Sequence, residues 1–222
     1  MSPVRHHEPM SVWAIVVAAG SAERFGGPKQ LMFVAGQRVV DRSVAAAAAS
    51  CDGVVVVVPA GTSWGIPDAI AVAGGATRSE SVRAGLTAVP ADAAIIVVHD
   101  AARPLADGSL FDAVIDAVRD GADGAVPGLA IADTVKEVRG EVVVATVPRE
   151  MLVTVQTPQA FRAPIFRSAH AAGAEGTDDA AVVEATGARV VVVAGRSENV
   201  KITTPEDLAR AELWLTDQQR AR

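Results

Sequence analysis

Short, uninterrupted apolar runs alternate along this chain with Ala-rich stretches of helical spacing. The runs Val12–Ala18, Val54–Val58, Ala94–His99, Gly124–Val126 and Arg189–Val193 are rich in Val and Ile or flanked by small residues, without a polar residue at every second position. A strand with one face in water alternates, whereas a continuous apolar run suits a strand of a parallel sheet covered on both faces. Between these runs, Val40–Ala49, Ser79–Ala88, Ser109–Asp120, Asp178–Thr186 and Pro205–Thr216 read as helices. This alternation predicts a doubly wound α/β sandwich.

Ile131 to Val155 breaks the rhythm. Asp133–Val138 and Glu141–Thr146 flank Arg139-Gly140, which is a hairpin pattern. An isolated hairpin is marginal in water and needs something to pack on. The same arm (about residues 130–155) of a second subunit is the expected partner, and an antiparallel extension of the parent sheet is the alternative. The last helix has a well-marked start. Thr204 can cap it, Pro205 suits its first position, and Glu206 and Asp207 favour the positive end of its dipole.

Composition narrows the class. Half of the 222 residues are hydrophobic, enough for one domain spanning 11–222 behind a polar tail, 1–10. Met1–Pro9 lacks the apolar segment of a secretory signal, and its His6 and His7 read as solvated. Lys and Arg number 20 against 26 Asp and Glu, a net charge of −6 with no basic stripe for nucleic acid. No apolar run approaches the length of a membrane span. The expectation is a soluble cytoplasmic protein with neither nucleic acid nor membrane as partner. The single cysteine, Cys51, excludes an internal disulfide and a cysteine-based metal site, and reads as a small buried hydrophobe.

Chemistry gathers where the strands end. The first apolar run stops at Gly20, and a small-residue loop follows that carries Arg24 and Lys29. Such a loop lets backbone N–H groups approach a phosphate, and the cations neutralise it. Lysine is used only three times, at Lys29, Lys136 and Lys201. A plain turn with two solvated cations is the alternative. Asp100 lies at the end of a buried strand, the edge at which open α/β sheets bind ligands. There it would hold Mg²⁺ against phosphates, or else cap a helix or pair with Arg103. His99 is given no role, and Arg103 reads as structural. Gly74-Gly75, with Ser81, would let a nucleobase approach backbone amides, although a double glycine also marks ordinary turns. Arg149, Gln156–Gln159, Thr177–Asp179 and Asn199–Thr203 complete the set. Thr177 would equally serve as a helix cap, and Thr157-Pro158-Gln159 as an extended link.

Taken in order, these motifs closely resemble the 2-C-methyl-D-erythritol 4-phosphate cytidylyltransferase family of the non-mevalonate isoprenoid pathway. The match runs from Val12 to Leu215. It rests on Ala18-Ala-Gly20 with Arg24 and Pro28-Lys-Gln30, Gly74-Gly75 with Arg78 and Ser81-Val82, and His99-Asp-Ala-Ala-Arg-Pro104. It continues through Asp133-Thr134, Arg149, Gln156-Thr-Pro-Gln-Ala-Phe161, Thr177-Asp-Asp-Ala180 and Asn199-Val-Lys-Ile-Thr203. The resemblance implies a Rossmann-like nucleotidyltransferase sandwich, a homodimer joined by a protruding β-hairpin arm, and Mg²⁺ dependence. It implies that CTP and a sugar-alcohol phosphate give a CDP-alcohol and pyrophosphate. By the same resemblance Arg24, Lys29 and Lys201 line the reacting phosphates, and Ala18, Ala19, Gly20, Gly75 and Ser81 hold the cytidine. Asp100 and Thr177 sit by the alcohol phosphate, which Thr134 and Arg149 reach from the neighbouring subunit.

The first loop departs from the family pattern. Ala22 stands where a second glycine is usual, and only Phe25-Gly26-Gly27 separates Arg24 from Pro28. That shape is similar to molybdenum-cofactor cytidylyltransferases. Ribitol 5-phosphate, whose phosphate and polyol would suit a similar pocket, is the close alternative acceptor and molybdopterin a more distant one. The shortened loop also raises a catalytically silent nucleotide-binding paralogue as the alternative outside enzymes.

Overall fold

The computed structural model describes residues 10–20, 25–171 and 173–220. Arg24 and the tail Met1–Pro9 lie outside them. Met10, assigned to the tail on sequence grounds, is partly buried against the core.

The apolar runs become strands, each within a residue or two of its expected start. They are β1 (Val12–Val17), β4 (Gly53–Val58), β6 (Ile95–Asp100), β7 (Gly124–Ala130) and β12 (Val190–Ala194). The expected helices form as α1 (Val39–Ala48), α2 (Arg78–Leu86), α3 (Gly108–Arg119), α5 (Asp179–Glu184) and α6 (Pro205–Arg220). Elements without a sequence counterpart are a two-residue pair, β2 (Phe33–Val34) and β3 (Gln37–Arg38), and the strands β5 (Ile70–Ala73), β10 (Val153–Val155) and β11 (Gln159–Arg162). Helix α4 (Ala163–Ala171) is a further one.

Strands β6, β1, β4 and β5 pair in parallel in that order. On the far side β11 runs antiparallel to β6 and to the start of β7, and β10 is antiparallel to the end of β7. Strand β12 pairs with β7 in parallel over Gly124–Gly128. The sheet is therefore mixed, with a parallel half that carries the motif-bearing strand ends.

Period-two geometry sends alternate side chains to opposite faces, and both faces are covered. Ala14, Val16, Val56 and Val97 join Val40 and Val44 of α1 and Phe111 and Val114 of α3 in one cluster. Ile15, Val55, Val57, Ile96 and Val98 join Val82 of α2, Phe166 of α4 and Val183 of α5 in the other. The result is the three-layer sandwich that the sequence predicted. Helix α6 packs with Val34, Leu105 and Ile202 in a third cluster. Thr204 caps its start as expected, and Asp207 answers reciprocally: the Asp207 carboxylate accepts from the Thr204 N–H at 2.9 Å, and Asp207 N–H approaches the Thr204 hydroxyl at 3.4 Å.

The hairpin forms as β8 (Val135–Arg139) and β9 (Val142–Val147), with Gly140 at φ +61° in the connection. It makes a separate two-stranded sheet, so it does not extend the parent sheet; only β10, at the end of the region, joins that sheet. Val138, Val142, Val143 and Val144 are exposed on it.

Candidate active site

A cleft of about 470 Å³ opens at the C-terminal ends of β1 and β6 and the N-terminus of α2. Ala19, Gly20 and Lys29 line it from the first loop, Gly75, Arg78 and Ser81 from the second, and Asp100 and Lys201 complete the wall. Lys29 and Lys201, 172 positions apart in the chain, thus face one space. In a chain of net charge −6, three cationic side chains and one carboxylate line the described part of this cleft. Cations gathered in a concave, low-dielectric wall focus positive potential, the setting an oligophosphate requires.

Each loop is braced. Gln30 is buried, and its side-chain N–H donates to the Gly20 carbonyl at 3.1 Å. A Cβ on Gly74 would lie 2.5 Å from the Ala19 Cβ and 2.8 Å from Ser81 Oγ, and one on Gly75 would lie 2.4 Å from the Glu80 Cβ. Gly74 is thus required by packing between the loops, and Gly75 by packing against the first turn of α2. Thr77 and Glu80 form a capping box at the start of α2, and Ser81 Oγ donates to the Thr77 carbonyl at 3.0 Å.

Asp100 is the electrostatic centre. One carboxylate oxygen is 2.7 Å from Lys201 Nζ, the other 3.5 Å from Arg78 Nε, and Arg103 Nε stands 4.0 Å away. Burial alone would raise its pKa; Lys201, Arg78 and Arg103 outweigh that and hold it well below the usual carboxylate range. The ion pair with Arg103, an alternative raised by the sequence, is present together with two stronger contacts. Protein-bound Mg²⁺ needs oxygen donors with lone pairs to spare. Asp100 is the single carboxylate among the described lining residues, its oxygens already meet cations, and the described residues hold no cluster of three His, Cys, Asp or Glu. With Asp100 alone supplying a carboxylate to the described lining, a magnesium ion at this cleft would take most of its donors from substrate phosphates and water.

Behind Asp100 lies a buried amide network that the sequence did not reveal. Gln156 donates to the carbonyls of Arg196 and Asn199, and the Asn199 side chain donates to the Thr157 carbonyl at 2.9 Å. Arg103 donates to the Asn199 carbonyl at 2.8 Å. Gln159 donates to Asp178 at 2.8 Å and accepts from the Ala180 N–H. The Thr157-Pro158-Gln159 segment is therefore more than an extended link. It fastens the Lys201 loop and the turn before α5 to the end of β6.

Asp100 N–H donates to Thr157 Oγ at 3.0 Å, and Thr157 Oγ is 3.1 Å from His99 Nδ1. His99 Nε2 faces the Arg103 carbonyl at 3.2 Å, so that nitrogen carries the proton and Nδ1 accepts from Thr157. His99 is a satisfied strand-end histidine. Burial lowers its pKa from 6.5 to about 4. Between those values the unfolded chain binds a proton that the folded one refuses, so stability falls as pH drops through that window. We expect urea unfolding to give lower stability at pH 5 than at pH 7, and a flatter slope for His99→Gln, which takes up no proton. An unchanged slope would put the proton uptake elsewhere.

Four expected residues stand apart from the cleft of their own chain. Ala18 is buried, with its N–H given to the Val57 carbonyl. Thr134 and Arg149 are exposed beside the hairpin, where an Arg149 guanidinium N–H donates to the Ala132 carbonyl. Thr177 is exposed before α5 and is not that helix's cap: Asp178 caps it, accepting from the Ala181 N–H at 2.9 Å. Arg78, quoted only as part of a motif, proves to line the cleft between Asp100 and Asp179.

Residues 12–217 match the family model of 2-C-methyl-D-erythritol 4-phosphate cytidylyltransferase. The Streptomyces coelicolor protein of that name is 44% identical, the match covering 93% of this chain and 86% of that one. Its Streptomyces avermitilis counterpart is 45% identical over 91% of this chain and 90% of its own. The crystal structure of the Thermus thermophilus enzyme of the same name superposes with a TM-score of 0.80 at 34% identity, covering 91% of this chain and 98% of that one.

Proposed function

The chain belongs to the 2-C-methyl-D-erythritol 4-phosphate cytidylyltransferase family, and we propose how its cleft carries the family's reaction. It is a nucleotidyltransferase that transfers the cytidylyl group of CTP to 2-C-methyl-D-erythritol 4-phosphate in the isoprenoid pathway. A phosphate oxygen of the acceptor attacks the α-phosphorus of CTP in line. The new P–O bond forms as the bond to the β-phosphate oxygen breaks, and pyrophosphate leaves with the electron pair. An ionised phosphate is already a nucleophile, so no general base is required. The difficulty is the repulsion between two anions, and preorganised cations lower it most where charge develops.

The observation that carries this reading is that Lys29, Arg78 and Lys201 line one cleft with Gly20, Gly75 and Ser81. We assign Lys29 and Lys201 to the reacting phosphates, joined by Arg24 on the strength of the resemblance. Ala19, Gly20, Gly75 and Ser81 take the cytidine; Ser81 Oγ, whose proton is given to Thr77, keeps lone pairs for an amino group. Asp100 orients Lys201 and Arg78 toward the acceptor. Magnesium enters this reading as a counter-ion of the triphosphate, taking most of its donors from phosphates and water. Thr134, Arg149 and Thr177 meet the acceptor phosphate, the first two across a homodimer interface built on the hairpin. The exposed valines of β9 and the position of both residues outside their own cleft support that assembly. We place the enzyme in the cytoplasm, where CTP is made.

The test is pyrophosphate release from CTP with each acceptor in turn. Turnover is expected with methylerythritol phosphate. Turnover with ribitol 5-phosphate or molybdopterin alone would overturn the acceptor, and CTP binding with no turnover on any of them would make the chain a silent paralogue.

A further inference from the structure

The α2 wall of the cleft is backed by a chain of ionisable groups that runs into the core. The Arg78 guanidinium spans two carboxylates: Nη2 is 2.6 Å from Asp179 Oδ2, and Nε is 3.5 Å from Asp100 Oδ1. Asp179 opens α5 and is 1% exposed. Its other oxygen is 3.4 Å from Nε2 of His170, which is also 1% exposed, on α4. The His170 ring lies tilted against Phe166, with centroids 4.4 Å apart. Neither Asp179 nor His170 is among the residues lining the cleft.

Packing does not explain this arrangement. Asp179 is held on one oxygen by the ion pair to Arg78, but neither nitrogen of His170 has an aligned hydrogen bond. A buried imidazole in that state costs free energy, and an apolar residue beside Phe166 at position 170 would avoid that cost. What the imidazole does provide is a second dipole at the Asp179 carboxylate. An arginine side chain is long, and its place over Asp100 depends on where its other anchor points. Asp100 in turn shares its oxygens between Arg78 and Lys201, so a turn of Arg78 redistributes charge at the cleft floor.

We infer that His170 is a positioning residue: through Asp179 it fixes the Arg78 guanidinium in the cleft, and so sets the charge that the acceptor phosphate meets at Asp100. The inference rests on the acceptor reading given above.

The experiment uses His170→Leu, His170→Gln, Arg78→Ala and the Arg78→Ala/His170→Leu double variant. Pyrophosphate release is measured with CTP and methylerythritol phosphate varied separately. His170→Leu is expected to raise the KM for the acceptor about tenfold, the scale of a small misplacement of a substrate-facing group, with the KM for CTP unchanged. His170→Gln, which keeps an N–H donor, restores most of the loss. In the Arg78→Ala background the leucine substitution adds nothing. Unchanged KM values, equal losses for both substrates with reduced thermal stability, or full additivity in the double variant would each overturn the inference. The Arg78 side-chain Nε–H resonance, identified by its loss in Arg78→Lys, decides the matter independently of turnover. It is expected as a single sharp signal in the wild type and in His170→Gln, and broadened in His170→Leu. A sharp, unshifted signal in His170→Leu overturns the inference. Absence of wild-type turnover would instead count against the acceptor reading.

Discussion

Lys29→Ala and Lys201→Ala are each expected to lower kcat by about a hundred- to a thousandfold, the typical effect of removing one donor aimed at developing charge. Both lysines line the cleft, and on the proposed reading the charge they meet grows on the path to the pentacovalent phosphorus. The loss should therefore fall on kcat more than on the KM for CTP. Folding should survive. Lys201 is 41% exposed on its side chain, and after its removal Arg78 and Arg103 still face Asp100. The thermal midpoint then separates lost chemistry from lost structure. Arginine at either position is a poor substitute, because its planar fork does not place a compact charge at the same point. Steady-state kinetics with a midpoint within a few degrees of wild type is the check. A kcat within a fewfold of wild type for both variants would remove these lysines from the reaction.

The parallel half of the sheet is legible in the sequence because β1, β4 and β6 are continuous apolar runs, the pattern that double coverage dictates. The antiparallel half is less so. Pro127 and Gly128 read as the end of the strand expected at Gly124–Val126, yet β7 continues to Ala130. Gly128 is the reason: a Cβ there would lie 2.6 Å from Val192 and 3.2 Å from Val153, so the glycine lets β12 and β10 close on β7. Strands β10 and β11 are three and four residues long on either side of Pro158, too short for periodicity to detect. Helix α4 was legible in principle, since Phe166, Ala169 and His170 recur at helical spacing on its buried face.

In the site, lysine scarcity singles out Lys29 and Lys201, and strand-end position singles out Asp100. The roles of Arg78, Gln156 and Asn199 were not legible, although all three stand in quoted motifs. Their partners lie 22, 40 and 42 positions away or more, and only the strand order brings them together. Glycine pairs mislead in a similar way. Gly74-Gly75 suggests room for a ligand, but the nearest claims on that room are Ala19, Ser81 and Glu80. A sequence shows that bulk is missing without showing what fills the space.

Chains carrying Lys29→Ala and chains carrying Arg149→Ala are expected to be nearly inactive alone and to recover activity when mixed. Arg149 sits on the turn Arg149–Met151, exposed, and outside the cleft of its own chain. If it completes the partner's cleft across a two-fold interface, each mixed dimer carries one site with both residues intact and one with neither. Random exchange at equal amounts makes about half of the dimers mixed, so about a quarter of the wild-type activity should return. Breaking the interface at the hairpin, for example with Val143→Glu on the exposed face of β9, should abolish turnover while CTP still binds, because Lys29, Lys201 and the cytidine loops all belong to one chain. Size-exclusion chromatography establishes the exchange, and isothermal titration measures the retained CTP affinity. Verified subunit exchange without recovery would mean that each chain completes its own site. Arg149 would then have to reach the cleft by a movement of its own turn, and the hairpin valines would need a different partner.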